Sequence, residues 1–281
     1  MSCMNVTELP DECMSLILSL TSPSDVLRSS VVTKQFSSVS EYDVVWKKFL
    51  PLDIDDIISQ SSTPYLLQQL TLKNFFLHLC RSPLLFNNDT QSFALDKRSG
   101  KKCYMLGARA LTITWGSSPE YWSWKVVPES RFPELAVLQD VCWLDIIGKF
   151  YIKFLSPNTT YGVYFVFKMD ENNHRGFDNT PVNVSIYESD EYGFSGENDV
   201  KVVKRFYLKA PMVRRRSRRP KELPIEREDG WMEIEMGRYH HVSVDDGIDE
   251  GVTLVMILRE IDEGQWKSGL VVQGIELRPL D

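Results

Sequence analysis

The sequence predicts an α+β chain in which a small helical N-terminal region precedes an antiparallel β-sandwich. Over the first ~80 residues, proline and acidic residues open short segments whose apolar side chains have helical spacing. From about Leu84 onward, apolar and polar residues alternate in short segments that turn residues separate. The chain shows no alternation of helices with strands of the kind that marks a doubly wound fold.

The helical region begins at Pro10, where a proline followed by two acidic residues favours the start of a helix. Apolar residues within 14–20 form the face of this helix, and Ser24 is a suitable N-cap for a second one. A third short helix is predicted within 43–50. A unit of about 50 residues buries a small fraction of its surface. We therefore expect it to dock onto a partner.

Four later segments have the composition and alternation of β-strands. They are 161–168, 230–236, 252–258 and 270–277. In the second segment Glu233 and Glu235 fall on the same face, because side chains two positions apart in a strand point the same way. Short strands separated by turns predict an antiparallel sandwich of about 190 residues.

The bulk composition is that of a soluble protein with a hydrophobic core. The chain has 281 residues, a hydrophobic content of 43% and a net charge of −7, which disfavours general nucleic-acid binding. No apolar run approaches the roughly 20 residues of a membrane span. The first residues lack the basic and apolar segments of a signal peptide, so an intracellular protein is expected. Five scattered cysteines indicate neither a disulfide framework nor a zinc site.

The sequence gives little support for catalysis. It contains neither a Gly-rich phosphate loop nor a Gly-x-Ser-x-Gly elbow. His240 and His241 are adjacent, so on a strand they would point to opposite faces and could not hold one metal ion; exposed positions are expected for both. The acid pair Asp245-Asp246 lies in a Gly-containing segment that is typical of a solvated loop. We therefore expect no catalytic residue, no metal and no cofactor.

Three of the seven tryptophans, Trp115, Trp122 and Trp124, fall within ten positions of a segment rich in turn residues. An indole has an apolar face and one N–H donor, so it can stack on a sugar ring and hydrogen-bond its hydroxyl groups. The same rings are equally suited to packing a core. The spacing alone leaves both interpretations open.

Residues 5–51 resemble an F-box in the order and spacing of their apolar and capping residues. The matching segments are 9–12, 17–18, 24–26, 31–36 and 45–46. The resemblance implies docking onto the Skp-type adaptor of a cullin–RING ubiquitin ligase, through an apolar helix face that fills a groove. The resemblance implies that six residues belong either to the adaptor interface or to the module's own core, and it does not say which residue belongs to which. These residues are Leu9, Pro10, Ile17, Leu18, Val26 and Trp46.

The remainder resembles the phloem protein 2 family, whose simplest members are the Nictaba-type lectins. The matching segments are 100–106, 113–125, 141–149, 161–164, 229–233, 266–270 and 274–279. An F-box ahead of such a domain is typical of the B-type phloem protein 2-like F-box proteins of plants. The resemblance implies an F-box at 1–51 and a jelly-roll-like lectin domain at 85–281. The segment between them, 52–84, is predicted to be a helical linker from the spacing of its apolar residues.

The resemblance also implies a carbohydrate site. Trp115 and Trp122 would be its two binding tryptophans, and Glu260 one of its acids. Thr253 replaces a second acid, which removes a charge-assisted acceptor for sugar hydroxyls. The other tryptophans are then expected to be core or turn anchors, and they are Trp124, Trp143, Trp231 and Trp266.

These features predict the substrate-receptor subunit of an SCF-type E3 ubiquitin ligase, with the lectin-like domain bound to glycans on target glycoproteins. Two alternatives remain: a stress lectin with a vestigial F-box, and a protein-interaction sandwich that has lost sugar binding. The basic run Arg214–Arg219 is either a solvated loop or a nuclear-import signal. The lectins carry such a signal near this position, so we expect the protein in both cytoplasm and nucleus.

Overall fold

The computed structural model describes residues 9–62, 70–170, 173–178, 180–190, 204–209, 223–242 and 251–280. The chain forms two compact units. The first comprises the residues up to Asn88 together with Ser92–Cys103. The second comprises Asp89–Gln91 and Tyr104–Leu280.

The described part of the first unit contains six helices, in agreement with the expected helical N-terminal region. They are α1 (Asp11–Ser19), α2 (Pro23–Ser29), α3 (Lys34–Val39), α4 (Asp43–Trp46), α5 (Ile54–Ser59) and α6 (Leu72–Arg81). Ser22, and not the expected Ser24, caps α2, since its hydroxyl oxygen accepts from the backbone N–H of Asp25. Pro23 explains the difference, because proline favours the first position of a helix and leaves the preceding residue as the cap. None of the described helices is long and apolar enough to cross a membrane.

The core of the helical unit is built around Trp46, which is fully buried. Its indole N–H donates to the carbonyl of Ser40 at 2.7 Å. Its ring centroid lies 5.7 Å from that of Phe49 and 5.3 Å from that of Phe76. Truncating a buried aromatic residue to alanine commonly costs about 3–5 kcal/mol, so this ring is a principal anchor of a small core.

The first unit also includes β1 (Leu84–Phe86) and most of β2 (Gln91–Leu95). The turn after β2 packs on the helices at Gly100, which has a φ of +74°. A Cβ at this position would lie 3.2 Å from the carbonyl oxygen of Phe49. Glycine is favoured here because the backbone is left-handed and its neighbour is close. Lys102 adds an ion pair to Asp53 at 2.6 Å.

The second unit is a sandwich of two antiparallel sheets, as the sequence predicted. One sheet has the order β3-β14-β8-β12-β11, and β6 also pairs with β14 and carries β5 at its edge. The other sheet has the order β10-β9-β13-β7-β4. The strands are β3 (Lys102–Gly107), β4 (Thr112–Ile113), β5 (Trp122–Lys125), β6 (Leu135–Leu138), β7 (Leu144–Tyr151), β8 (Thr159–Met169), β9 (Val182–Ser189), β10 (Lys204–Phe206), β11 (Ile225–Glu226), β12 (Met232–His241), β13 (Thr253–Glu260) and β14 (Leu270–Pro279).

The four strand segments predicted from alternation correspond to β8, β12, β13 and β14. Their inward side chains form the core between the sheets, and Phe165, Ile234, Leu258 and Ile275 are all nearly inaccessible. Glu233 and Glu235 pair with Val166 and Tyr164 of β8 on the opposite, outer face. The sequence pattern therefore identified these strands and, for β12, the face that carries the two acidic side chains.

The outer face of the first sheet carries a network of three arginines and two glutamates, which we term the charge network. Glu276 accepts from Arg131 at 3.0 Å, from Arg227 at 2.7 Å and from Arg278 at 3.0 Å. Arg227 and Arg278 also reach Glu233. Burial alone would raise the pKa of Glu276, but the three guanidinium groups outweigh it and lower that pKa to about 2.

Candidate functional sites

The structure divides the six residues expected at the adaptor interface into an inner and an outer set. The inner set is buried and consists of Leu18, Val26 and Trp46. The outer set is accessible and consists of Leu9, Pro10 and Ile17. Only the outer set can touch a partner without unfolding the module.

Several further apolar side chains of these helices face solvent. On α1, Met14 and Leu18 are buried one turn apart, while Leu16, Ile17 and Leu20 are exposed. The exposed set, which we term the docking face, is Leu16 (58% exposed), Ile17 (46%), Leu20 (76%), Val31 (85%) and Val32 (68%). So many exposed aliphatic residues in one small module indicate a protein-binding surface.

Trp115 lies in a tight turn at the end of β4 and is 42% exposed. The turn is closed by a hydrogen bond of 2.9 Å from the N–H of Gly116 to the carbonyl of Ile113. Trp115 has a φ of +58°, a left-handed conformation that is unusual for a bulky side chain. Its ring centroid lies 5.0 Å from that of Tyr121. Strain of this kind is typical of positions where a side chain must be presented in one orientation.

The other two clustered tryptophans hold this turn. The indole N–H of Trp122 donates to the carbonyl of Thr114 at 3.2 Å, and that of Trp124 donates to the carbonyl of Gly116 at 2.9 Å. These two carbonyls flank Trp115 on either side. Trp122 is only 2% exposed, which differs from the expected role of a stacking surface. It lies at the start of β5, where pairing with β6 sets its ring facing inward.

Glu260 is also inaccessible, in contrast to the sugar-contacting role that the resemblance implies. It ends β13, is 2% exposed and forms an ion pair with Lys267, which is fully buried. Its second oxygen accepts from the backbone N–H of Glu263 at 2.9 Å. The Lys267 ammonium donates further to the carbonyl of Gln265 at 2.8 Å. Glu260 therefore fixes the loop that follows β13.

Strand register determines which candidates lie together. Ile146 of β7 pairs with Ile113 of β4 on one side and with Leu258 of β13 on the other. Two residues further along, the chain that leaves β4 reaches Trp115 and β13 ends at Glu260, so both residues lie at the same end of this sheet. Thr253 is at the opposite end of β13, about 23 Å away at the rise of a strand. The missing acid at Thr253 is therefore remote from the Trp115 turn.

The remaining tryptophans differ from one another. Trp231 is 1% exposed, as expected of a core residue, whereas Trp143 is 45% exposed and Trp266 is 50% exposed. Both exposed residues lie just outside a strand, Trp143 before β7 and Trp266 in the loop after β13. Alternation does not extend beyond the last strand residue, so it could not assign these two rings to a face.

No cluster of three or more metal-binding side chains occurs among the described residues. His240 and His241 lie on opposite faces of β12, as predicted. His240 is hydrogen-bonded to Thr160, but His241 is buried rather than exposed. Arg214–Arg219 and Asp245–Asp246 lie outside the described residues.

Comparison with known proteins agrees with this arrangement of a helical module followed by a sandwich. An F-box-like family model matches residues 6–51, and a Phloem protein 2 model matches residues 101–279. The chain belongs to the phloem protein 2 family and carries an F-box ahead of that domain.

The relatives include F-box proteins of Arabidopsis thaliana. The chain is 41% identical over 274 residues to F-box protein At2g02240, a match that covers 96% of this chain and 79% of that one. It is 38% identical over 270 residues to F-box protein PP2-B10, and this match covers 96% of this chain and 92% of that one. Among solved structures it is similar to the CBM22-1 xylan-binding domain of Paenibacillus barcinonensis Xyn10C. That match has a TM-score of 0.31 and 11% identity, and covers 62% of this chain and 88% of the domain.

Proposed function

We propose that this chain is the substrate-receptor subunit of an SCF-type (Skp–cullin–F-box) E3 ubiquitin ligase. Its F-box would bind a Skp-type adaptor, and its sandwich would bind N-acetylglucosamine oligomers or N-glycans on target glycoproteins. The observation that carries the proposal is the docking face, because it leaves apolar residues such as Ile17 and Leu20 exposed on a module matched as F-box-like. Burial of such residues is the usual driving force for association.

A receptor of this kind performs no chemistry itself. It holds the adaptor through one unit of the chain and the target through the other. Its contribution is proximity, because a tethered substrate lysine has a high effective concentration at the ligase.

The adaptor interface is tested by placing charge on the docking face. We expect Ile17→Asp with Leu20→Asp to reduce binding of a Skp-type adaptor by at least about 30-fold, because two buried anchors of an interface would be replaced by desolvated carboxylates. The measurement is co-purification followed by titration. A second double variant, Leu9→Ala with Pro10→Ala, is expected to abolish co-purification with the adaptor.

Val126→Asp provides the matched control, since Val126 is 77% exposed but lies in the sandwich. It should leave adaptor binding unchanged. If the unsubstituted chain binds no Skp-type adaptor, the ubiquitin-ligase proposal is wrong and the lectin or protein-interaction alternative replaces it.

For the carbohydrate half of the proposal, Trp115 is the contact residue and Trp122 positions it. A glycan array with the full chain, followed by titration with chitotriose, tests both roles. We expect Trp115→Ala to weaken binding by roughly tenfold or more, because the stacking surface is lost. Trp122→Phe keeps a buried ring but removes the donor to Thr114, so it should weaken binding to a smaller extent.

Tyr151→Ala is the control, since Tyr151 is 48% exposed and lies at the opposite end of β7. Equal losses in this variant and in Trp115→Ala would contradict a site at the Trp115 turn. Failure of the unsubstituted chain to bind any glycan would favour a protein-interaction sandwich instead.

A further inference from the structure

The two indoles that hold the Trp115 turn differ in how firmly they are themselves held. Trp122 is 2% exposed, so the core around it fixes its ring. Trp124 is only partly buried and lies on β5, which among the described strands pairs with β6 alone. A partly solvated side chain on an edge strand retains freedom to rotate. The hydrogen bond from Trp124 to Gly116 therefore depends on what else holds the Trp124 ring.

Arg109 lies over the Trp124 ring. It is the central residue of a single 3₁₀ turn, Ala108–Ala110, which follows β3 and leads into β4 and the Trp115 turn. The central carbon of its guanidinium group lies 3.5 Å from the centroid of the Trp124 ring. This is direct contact, well inside the ~6 Å within which a cation and an aromatic ring attract each other. Arg109 therefore restricts rotation of the Trp124 ring.

Glu134 holds the same guanidinium group. The Nε–H of Arg109 donates to a carboxylate oxygen of Glu134 at 2.8 Å. This hydrogen bond lowers the pKa of the Glu134 carboxyl, so the pair stays charged at neutral pH. Glu134 directly precedes β6, the strand that pairs with β5. Arg109 thus contacts both the strand that carries Trp124 and the residue that begins its partner strand.

The arrangement suits an arginine rather than a lysine. A guanidinium group is planar, so it can stack on a ring while its N–H groups donate from its edge. Arg109 makes both contacts at once, one with Trp124 and one with Glu134. A lysine ammonium is a point charge without a plane, so at this position it would keep the ion pair and lose the stacked contact.

We propose that Arg109 is a positioning residue for Trp115 and acts on it through Trp124. Beneath Arg109, the Trp124 indole keeps its N–H on the carbonyl of Gly116, the residue that directly follows Trp115. Trp115 has a φ of +58°, a conformation that a bulky residue keeps only when its surroundings hold it. This role rests on the sugar contact proposed above for Trp115, and it adds a residue outside the tryptophan cluster.

Hydrogen exchange of the indole N–H groups tests the contact without any ligand. NMR of the full chain with isotope-labelled tryptophan follows its seven indoles, and single Trp→Phe variants assign them. We expect Arg109→Ala to speed exchange of the Trp124 indole N–H by at least about threefold, because local opening becomes easier. The Trp231 indole, which is 1% exposed in the same unit, is the internal reference and should not change.

Titration with chitotriose tests the consequence for binding. We expect Arg109→Ala to weaken binding by about three- to tenfold, and Arg109→Lys to restore only part of the affinity. Trp124→Phe removes the donor to Gly116 and keeps a ring. Since Arg109 acts through that donor, adding Arg109→Ala to Trp124→Phe should weaken binding no further.

Lys153→Ala is the matched control. Lys153 is also the central residue of a 3₁₀ turn, and its ammonium group lies 5.9 Å from the centroid of the Tyr151 ring. This turn follows the end of β7 that is opposite the Trp115 turn. Removing this cation should change neither the exchange of the Trp124 indole nor the affinity for chitotriose.

The possible outcomes separate this role from the proposal on which it rests. Unchanged exchange of the Trp124 indole in Arg109→Ala overturns the positioning role, and so does equal acceleration at Trp231, because that indicates a general loss of stability. Faster exchange at Trp124 with unchanged chitotriose affinity also overturns it. If the unsubstituted chain binds no glycan, the carbohydrate proposal fails, and the exchange of Trp124 alone decides whether Arg109 holds the turn.

Discussion

Replacing Lys267 with methionine is expected to lower the free energy of unfolding by about 3–5 kcal/mol, since it leaves the Glu260 carboxylate buried without its cation. Both members of the pair are excluded from water, so the loss should be comparable to that of truncating a buried aromatic residue. Urea unfolding followed by tryptophan fluorescence measures the loss. Lys149→Met, at an exposed lysine of β7, is the matched control and should change stability by less than about 0.5 kcal/mol.

The double variant Glu260→Leu with Lys267→Met separates charge from packing. Removing both charges leaves no uncompensated ion. The double variant should therefore regain most of the free energy of unfolding that either single variant loses. A loss equal to the sum of the single losses would show that the two side chains are not coupled.

The same variants decide how Glu260 acts on a ligand. If it only holds the loop, Glu260→Gln and Lys267→Met should weaken sugar binding together. If Glu260 instead touched the sugar, Glu260→Gln would weaken binding in conditions where Lys267→Met did not.

Replacing Glu276 with glutamine is expected to lower the free energy of unfolding by about 3 kcal/mol at neutral pH. The fall in the Glu276 pKa from 4.5 to about 2 represents that much preferential stabilisation of its charged form in the folded chain. Glutamine has nearly the same shape but cannot neutralise Arg131, Arg227 and Arg278. Urea unfolding of both proteins across the acid range provides the measurement.

The pH dependence of this difference has a definite sign. Because the folded pKa of Glu276 is depressed, its stabilisation is fully present above about pH 4.5 and is lost as pH falls toward 2. The two proteins should therefore converge in stability as acid protonates the carboxylate. Glu134→Gln, at an accessible glutamate that pairs with Arg109, should change stability little at any pH. A difference that stayed constant with pH would contradict the assigned role of Glu276.

Much of the fold was predictable because its signals are local. Pro10 with its two acids begins α1 as predicted, and alternation located the four long strands and the outward face of Glu233 and Glu235. The cap predicted at Ser24 lies two residues from the actual cap, Ser22, because Pro23 prefers the first helical position. Such features depend on neighbours within a few positions of the chain.

The site was less predictable because it depends on contacts between distant residues. The spacing of Trp115 and Trp122 is the same whether a ring faces solvent or the core, and only the pairing of β5 with β6 buries Trp122. Trp143 and Trp266 were expected to be anchors because strand-like residues surround them. Their exposure depends on the bridge between Val141 and Lys267, which no local pattern encodes.

The position of β14 in its sheet has a consequence for the order of folding. This strand lies between β3 and β8, although most of the sandwich sequence separates it from β3. Pairings across such long loops have a high entropic cost and form slowly, whereas α1 to α4 all lie within residues 11–46. The F-box helices α1 to α4 should therefore fold much sooner than the sandwich. Until β14 inserts, the apolar edges of β3 and β8 are open to wrong partners.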